Sequence, residues 1–221
     1  MKILITSGGC KVPIDDVRSI TNFSSGRFGI ELAKAFLWTQ PHQTSDQILV
    51  FREKGSVWLD DHWDEVYNSA GNIWHSEYKD YDGYLYVKNL IKEFQPDIII
   101  SAAAVSDYVL DKTEGKISSD NDELVIHLKK GEKVIKSFRE LAPNALIVGF
   151  KLLVDATEEE INNAVNKVFA NGVDLVVYND LLRLRKGITD RRVYTQSNSY
   201  TTITIAWQLV NLLRNFKNYK K

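Results

Sequence analysis

The chain carries one cysteine in 221 residues. A lone thiol, Cys10, excludes a disulfide framework and a cysteine-based zinc site within one chain. It fits a reducing, cytoplasmic setting. Neither sign of charge is in excess: 28 Lys and Arg stand against 29 Asp and Glu, for a net charge of −1. No bulk electrostatic pull toward nucleic acid or an anionic membrane is expected. Long apolar runs are absent too. Nothing reaches transmembrane length, and MKILITSGG at the start is too short for a signal peptide. Repeats and low-complexity tracts are lacking.

What is present is an ordinary soluble composition, 44% hydrophobic and 26% charged. The length suffices for one large domain or two small ones with ample core. We expect one domain spanning residues 1–221. Short β-branched runs alternate with helical patterns through most of the chain. Strands are expected at Lys2 to Thr6, Gln47 to Phe51, Asn72 to Tyr78, Asp97 to Ser101, Glu123 to Leu128, Ala145 to Leu152 and Asp174 to Tyr178. Helices are expected from Ile30, over Tyr84 to Phe94, over Lys133 to Leu141, from Thr157 to near Gly172, and over Ala206 to Phe216. Arg192 to Gln196 and Tyr200 to Ile205 read as a hairpin. This alternation predicts an α/β fold: a Rossmann-like, mostly parallel sheet with helices on both faces, plus a C-terminal β-hairpin and helix. Ligands in such sheets bind beyond the carboxyl ends of the strands. Polar clusters follow four predicted strands there: Gly8-Gly9, residues 102–107, Phe150-Lys151 and Asn179-Asp180.

Residues 6–29, TSGGCKVPIDDVRSITNFSSGRFG, organise the rest. They form a long loop between a strand and a helix. The G-x-G-x-x-G spacing of a dinucleotide site is missing, and no G-K-[ST] follows as in a Walker loop. The paired glycines alone mean a tight turn. Together with SSGRFG at the helix start they favour phosphate or nucleotide binding. Asn22 is either a turn or capping residue, or a donor to a developing oxyanion. Arg18 and Arg27 are either solvated charges or anion clamps. Asp107 is a turn cap or a substrate ligand. Lys116, in TEGKISSD on a polar flap over residues 109–122, is a surface lysine or a mobile catalytic one. Tyr84 and Lys88 match the Y-x-x-x-K dyad of nicotinamide-dependent reductases, but precede the DIIIS strand and lack a Rossmann fingerprint. Cys10 has no histidine at an evident spacing. Trp58, Trp63 and Trp74 read as satellite packing.

TSGGCKVPID, VRSITNFSSGRFG, SAAAVSDY, GKISS, ALIVGFK and VDLVVYND, in that order, resemble the phosphopantothenoylcysteine synthetase family over residues 1–180, and more weakly beyond. The resemblance implies a stand-alone synthetase without the flavin-dependent decarboxylase domain, hence no flavin. It implies ligation of 4′-phosphopantothenate to L-cysteine in coenzyme A biosynthesis. The carboxylate is first activated as an acyl-nucleotide by CTP with Mg2+; ATP is the alternative base. It further implies that Asn22 forms the acyl-nucleotide, that Lys116 governs its turnover, and that Arg18 reaches substrate in the partner of a homodimer. Ala103, Ala104 and Asp107 would hold the phosphopantothenate arm. Gly8, Ser24, Gly26, Gly29, Phe150 and Asn179 would surround the nucleotide, with Lys133 and Lys167 as further contacts. Cys10 replaces a usual threonine, GEKVI lacks the N-P-D-I of many CTP-using members, and Asn171 stands where a second helix lysine is common. These departures bear on the base more than on the reaction. A nicotinamide-dependent reductase and a non-catalytic nucleotide-binding module are the rival readings.

Overall fold

The structure is a computed structural model and describes residues 1–38, 46–58 and 72–219. Its centre is an eight-stranded sheet. The parallel strands are β1 (Lys2–Ser7), β4 (Gln47–Glu53), β5 (Ile73–Tyr78), β6 (Ile98–Ser101), β9 (Leu146–Leu153) and β10 (Leu175–Asp180). The antiparallel strands β11 (Arg191–Thr195) and β12 (Tyr200–Ile203) close one edge, with Asn198 in the left-handed region at their turn. The order is β12-β11-β10-β9-β6-β1-β4-β5. It reverses direction between β1 and β6, so the switch-point crevice opens beyond those two strand ends.

The central strands are apolar throughout because both faces are covered. Alternation sends Ile3, Ile5, Ile98, Ile100, Leu146, Val148, Leu175 and Val177 to one face. There they pack on α1 (Arg27–Trp38) and α7 (Ala206–Tyr219), through Ile30, Phe36, Leu209 and Leu213. Leu4, Ile99, Ile147 and Val176 point to the other face. That face is covered by α2 (Tyr81–Tyr84), α3 (Val87–Phe94), a 3-10 turn (Val134–Ser137), α4 (Phe138–Leu141) and α5 (Glu158–Phe169). Each fully buried Ile, Leu or Val contributes about 1.5–3 kcal/mol. Helix α5 starts in a capping box: Thr157 Oγ1 accepts from Glu160 N at 3.3 Å, and Glu160 Oε2 accepts from Thr157 N at 2.9 Å. The amino edge of the sheet is pinned by ion pairs: Asp46 with the N-terminus (2.6 Å) and Arg214 (2.8 Å), and Asp174 with Arg139 (2.6 Å). Among the described residues, no helix is long and apolar enough to cross a membrane.

Most predicted elements stand within a few residues of their expected bounds. Three differ. Residues 123–128 form no strand, and Leu124, Val125 and Leu128 are exposed. The alternation in ELVIHL meets no partner strand; pairing starts only at β8 (Lys129–Lys130), which joins β7 (Tyr108–Val109). The helix expected over Tyr84 to Phe94 is broken into α2 and α3, because Leu85 and Tyr86 close tighter turns onto Asp82 and Gly83. The long loop 6–29 holds a small hairpin of β2 (Lys11–Pro13) and β3 (Ser19–Thr21). Trp58 packs on His75 and beneath Arg52, as expected of satellite packing. Trp63 lies outside the described residues.

Candidate active site

The crevice is built by tying the end of β1 to its two neighbours. Ser7 Oγ donates to Gly26 O at 2.8 Å, joining β1 to the start of α1. Thr6 Oγ1 accepts from Ala103 N at 3.2 Å, and Ala104 N donates to Gly8 O at 2.9 Å, joining β1 to the segment after β6. Two glycines make the first junction possible. Gly26 adopts φ +74°, which a side chain resists, and a Cβ on Gly29 would collide with the Ser7 hydroxymethyl group, 2.8 Å from its Cβ. The loop thus passes close over the first strand and delivers the N-terminus of α1 to the crevice. Arg27 N donates to Ser25 Oγ at 3.4 Å there.

Asn22 lies five residues ahead of α1 and does not cap it. Its Nδ2 donates across the crevice to Ala104 O (3.1 Å) and Val105 O (3.3 Å). The carboxamide therefore bridges the VRSITNFSSGRFG and SAAAVSDY segments of the sequence. Asp107, at the end of the same segment, accepts from Lys133 Nζ at 2.8 Å, and its carbonyl accepts from Gly131 N. Ala103 and Ala104 are half-buried, and both line this path.

The residues expected around a nucleotide divide between the two faces of the sheet. Ser24, Gly26, Gly29, Phe150 and Asn179 gather on the α1/α7 side. Phe150 meets Phe28 edge-to-face with centroids 6.1 Å apart, and the Arg191 guanidinium lies 3.8 Å from the Phe28 centroid. A cavity of about 690 Å³ opens beside them, lined in part by Ser25, Arg27, Phe28 and Arg191. Asn179 Oδ1 is buried and has no hydrogen-bond partner among the described residues, an arrangement costly unless a ligand supplies a donor. Lys133 instead joins Asp107 on the other side. Lys167 is not brought to the crevice: it is exposed in the last turn of α5, which leads toward the amino edge, and its carbonyl accepts from Asn171 Nδ2. The family motif order does not encode which face of the sheet a residue reaches.

The flap is held against the hairpin loop. Arg18 donates to Asp15 Oδ2 through Nε (2.9 Å) and Nη2 (2.6 Å), and Nη2 also reaches Ile117 O at 2.6 Å. The guanidinium holds the Asp15 carboxyl well below the usual range. The Arg18 Nη1 group has no acceptor among the described residues. Lys116 is exposed on the flap beside Ile117.

One residue of the site carried no signal in the sequence. The buried Tyr78 hydroxyl lies within hydrogen-bonding distance of both Ser7 O and Gly9 O, and burial keeps its proton on. Two candidates are excluded on geometry. Tyr84 is buried beneath Thr6 and pushed up to about 12 by burial, whereas Lys88 pairs with Glu132 at the surface, so they form no dyad. Cys10 is buried, and burial pushes its thiol up to about 11, far from a nucleophilic thiolate.

The family described as "DNA/pantothenate metabolism flavoprotein C-terminal domain" matches residues 1–41 and 86–207. The chain is 32% identical over 185 residues to a "Coenzyme A biosynthesis bifunctional protein CoaBC" of Methanocaldococcus jannaschii, covering 81% of this chain and 40% of that protein. It thus spans about two fifths of the curated relatives it matches. A crystal structure of the DNA/pantothenate metabolism flavoprotein from Streptococcus pneumoniae superposes with a TM-score of 0.79 at 27% identity, covering 99% of both chains. A Cab2 mutant in complex with phosphopantothenate-cysteine shares the fold, with a TM-score of 0.83 at 19% identity over 99% of this chain and 87% of that one.

Proposed function

Since the chain belongs to the DNA/pantothenate metabolism flavoprotein C-terminal domain family, we propose that it ligates 4′-phosphopantothenate to L-cysteine at the β1/β6 crevice, as one domain spanning residues 1–221. The observation that carries this reading is the Asn22 bridge to Ala104 and Val105. It joins a segment suited to a carboxylate substrate with a loop suited to phosphates.

In the first step a substrate carboxylate oxygen attacks the α-phosphorus of a nucleoside triphosphate, and the bond to pyrophosphate breaks. The triphosphate lies against the α1 N-terminus, where backbone N–H groups and the helix dipole favour anions. Magnesium comes with the triphosphate, as part of that substrate. Asn22 holds the carboxylate, its 3.3 Å contact to Val105 being the one a substrate oxygen replaces. In the second step the cysteine amine attacks the acyl carbon, the nucleoside monophosphate leaves, and the amine gives up a proton. Lys116 neutralises charge on the departing phosphate, and the flap keeps water from the mixed anhydride. Removing a donor of this kind costs about 3–4 kcal/mol in the transition state.

CTP is the proposed base, with ATP as the alternative. The unpaired Asn179 Oδ1 would accept from the exocyclic amine of cytosine or of adenine. We further propose a homodimer. Phe23, next to Asn22, is 97% exposed, and Val17 is 67% exposed on the same loop. A second copy covering this patch would meet the Arg18 Nη1 group. Pyrophosphate release, assayed with both substrates and each of CTP and ATP, tests the ligation. Release that depends on both the phosphopantothenate and a nucleotide supports it; none with either nucleotide overturns it.

A further inference from the structure

Lys116 is the flap residue on which the proposed second step depends, yet the flap around it forms neither helix nor sheet. Its placement must come from elsewhere. Two consecutive carboxylates of the hairpin loop supply it. Asp16 Oδ2 accepts from Gly115 N at 2.8 Å, and Asp15 Oδ2 accepts from Ile117 N at 3.1 Å. These are the amides on either side of Lys116. The same two residues are held through their carbonyls: Asp16 N donates to Gly115 O at 2.9 Å, and Arg18 Nη2 donates to Ile117 O. Thr113 N donates to Ile14 O at 2.9 Å, and Lys112 pairs with Asp16 Oδ1. All of these contacts span about a hundred residues of chain and converge on residues 112–117.

We propose that Asp15 and Asp16 are positioning residues for Lys116, a latch that presents the flap lysine to the crevice; this rests on the ligation reading above. The amide bonds run to carboxylates and are therefore charge-assisted. Gly115 takes φ +73° between the two anchors, a turn that a side chain resists. The Lys116 side chain itself makes no hydrogen bond or ion pair among the described residues. Only its two neighbours, Gly115 and Ile117, are tied down, which leaves the ammonium group available to a departing phosphate. Asp15 has a second duty. The oxygen that accepts from Ile117 N also accepts from Arg18, so the arginine and the flap lysine are set by one carboxylate.

Asp15 is buried and also accepts from Val17 N and Arg18 N, so its variants risk misfolding. The test therefore uses exposed Asp16. Rapid-quench assays with 4′-phosphopantothenate, L-cysteine and CTP or ATP follow formation and consumption of the acyl-nucleotide. They compare wild type, Lys116→Gln, Asp16→Ala, Asp16→Asn and the Asp16→Ala/Lys116→Gln double variant. Asp16→Ala is expected to form the intermediate within about threefold of wild type and to consume it about tenfold more slowly, the cost of misplacing one group. The double variant should be no slower than Lys116→Gln alone. Asp16→Asn keeps an acceptor for Gly115 N and should recover most of the loss. Wild-type consumption by Asp16→Ala, or losses that multiply in the double variant, overturns the latch alone. A wild-type protein that forms no acyl-nucleotide with either base overturns the ligation reading and the latch with it.

Discussion

The Tyr78 hydroxyl lies 2.8 Å from the carbonyl oxygen of Ser7, a residue 71 positions away at the end of the central strand. A buried phenol thus fixes the turn from which the whole loop 6–29 departs. Tyr78→Phe leaves the Ser7 and Gly9 carbonyls without this donor. The expected outcome is a loss of about 1–3 kcal/mol in stability, with KM for the nucleotide rising more than kcat falls. Urea unfolding and steady-state kinetics check both.

Asn22→Asp turns two favourable contacts into repulsions, since a carboxylate would face the Ala104 and Val105 carbonyls. The protein should stay folded by circular dichroism while acyl-nucleotide formation falls by about a hundredfold or more. Near-normal pyrophosphate release from a folded Asn22→Asp protein would remove Asn22 from the chemistry.

Gly29→Ala forces a methyl group into the Ser7 side chain and displaces its bond to Gly26. Overpacking of this kind costs about 1–3 kcal/mol. Nucleotide affinity should fall with it, because the start of α1 moves. Thermal melting with and without CTP reads the two effects separately.

Phe23→Asp places a charge at the most exposed apolar side chain described. Self-association should weaken by about tenfold or more if this ring anchors the contact between copies. Sedimentation equilibrium measures it. An unchanged dimer would move the interface elsewhere.

Asp15 has a folded-state pKa depressed below its ordinary 3.8, first through the Arg18 side chain. A depressed acid stabilises the fold above the unfolded value, and that contribution is lost as pH falls through the folded one. Asp15→Asn should therefore lower the urea midpoint by a constant amount from about pH 8 to about pH 5, with the gap to wild type closing below 3.8. A gap independent of pH in acid would show that the carboxylate charge does not contribute.

The parallel core was legible because runs such as Ile98–Ile99–Ile100 have one physical use, burial on both faces of a sheet. The helix start at Thr157 was legible because capping is local. The hairpin inside residues 6–29 was not, since strands of three residues show no periodicity. ELVIHL misled because alternation marks a half-buried strand only where a partner exists. The crevice was anticipated from four strand ends converging on one edge. The separation of Lys133 and Lys167 from the Phe150 and Asn179 side was not, because it depends on which face each element covers. Tyr78 escaped notice because its hydrogen bonds cross a register that only the assembled sheet defines.

The sealed position of Cys10 bears on the company this protein would keep. A ligase supplied with free cysteine works in contact with a thiol, and with its oxidised disulfide whenever the supply is oxidised. Exchange needs an accessible thiolate, and the single thiol here is neither accessible nor ionised while the fold is closed. On the ligation proposed above, the protein would thereby be kept from forming mixed disulfides with its cysteine substrate, and oxidation of that pool would limit turnover by depleting the amine donor's reduced form rather than by modifying the protein.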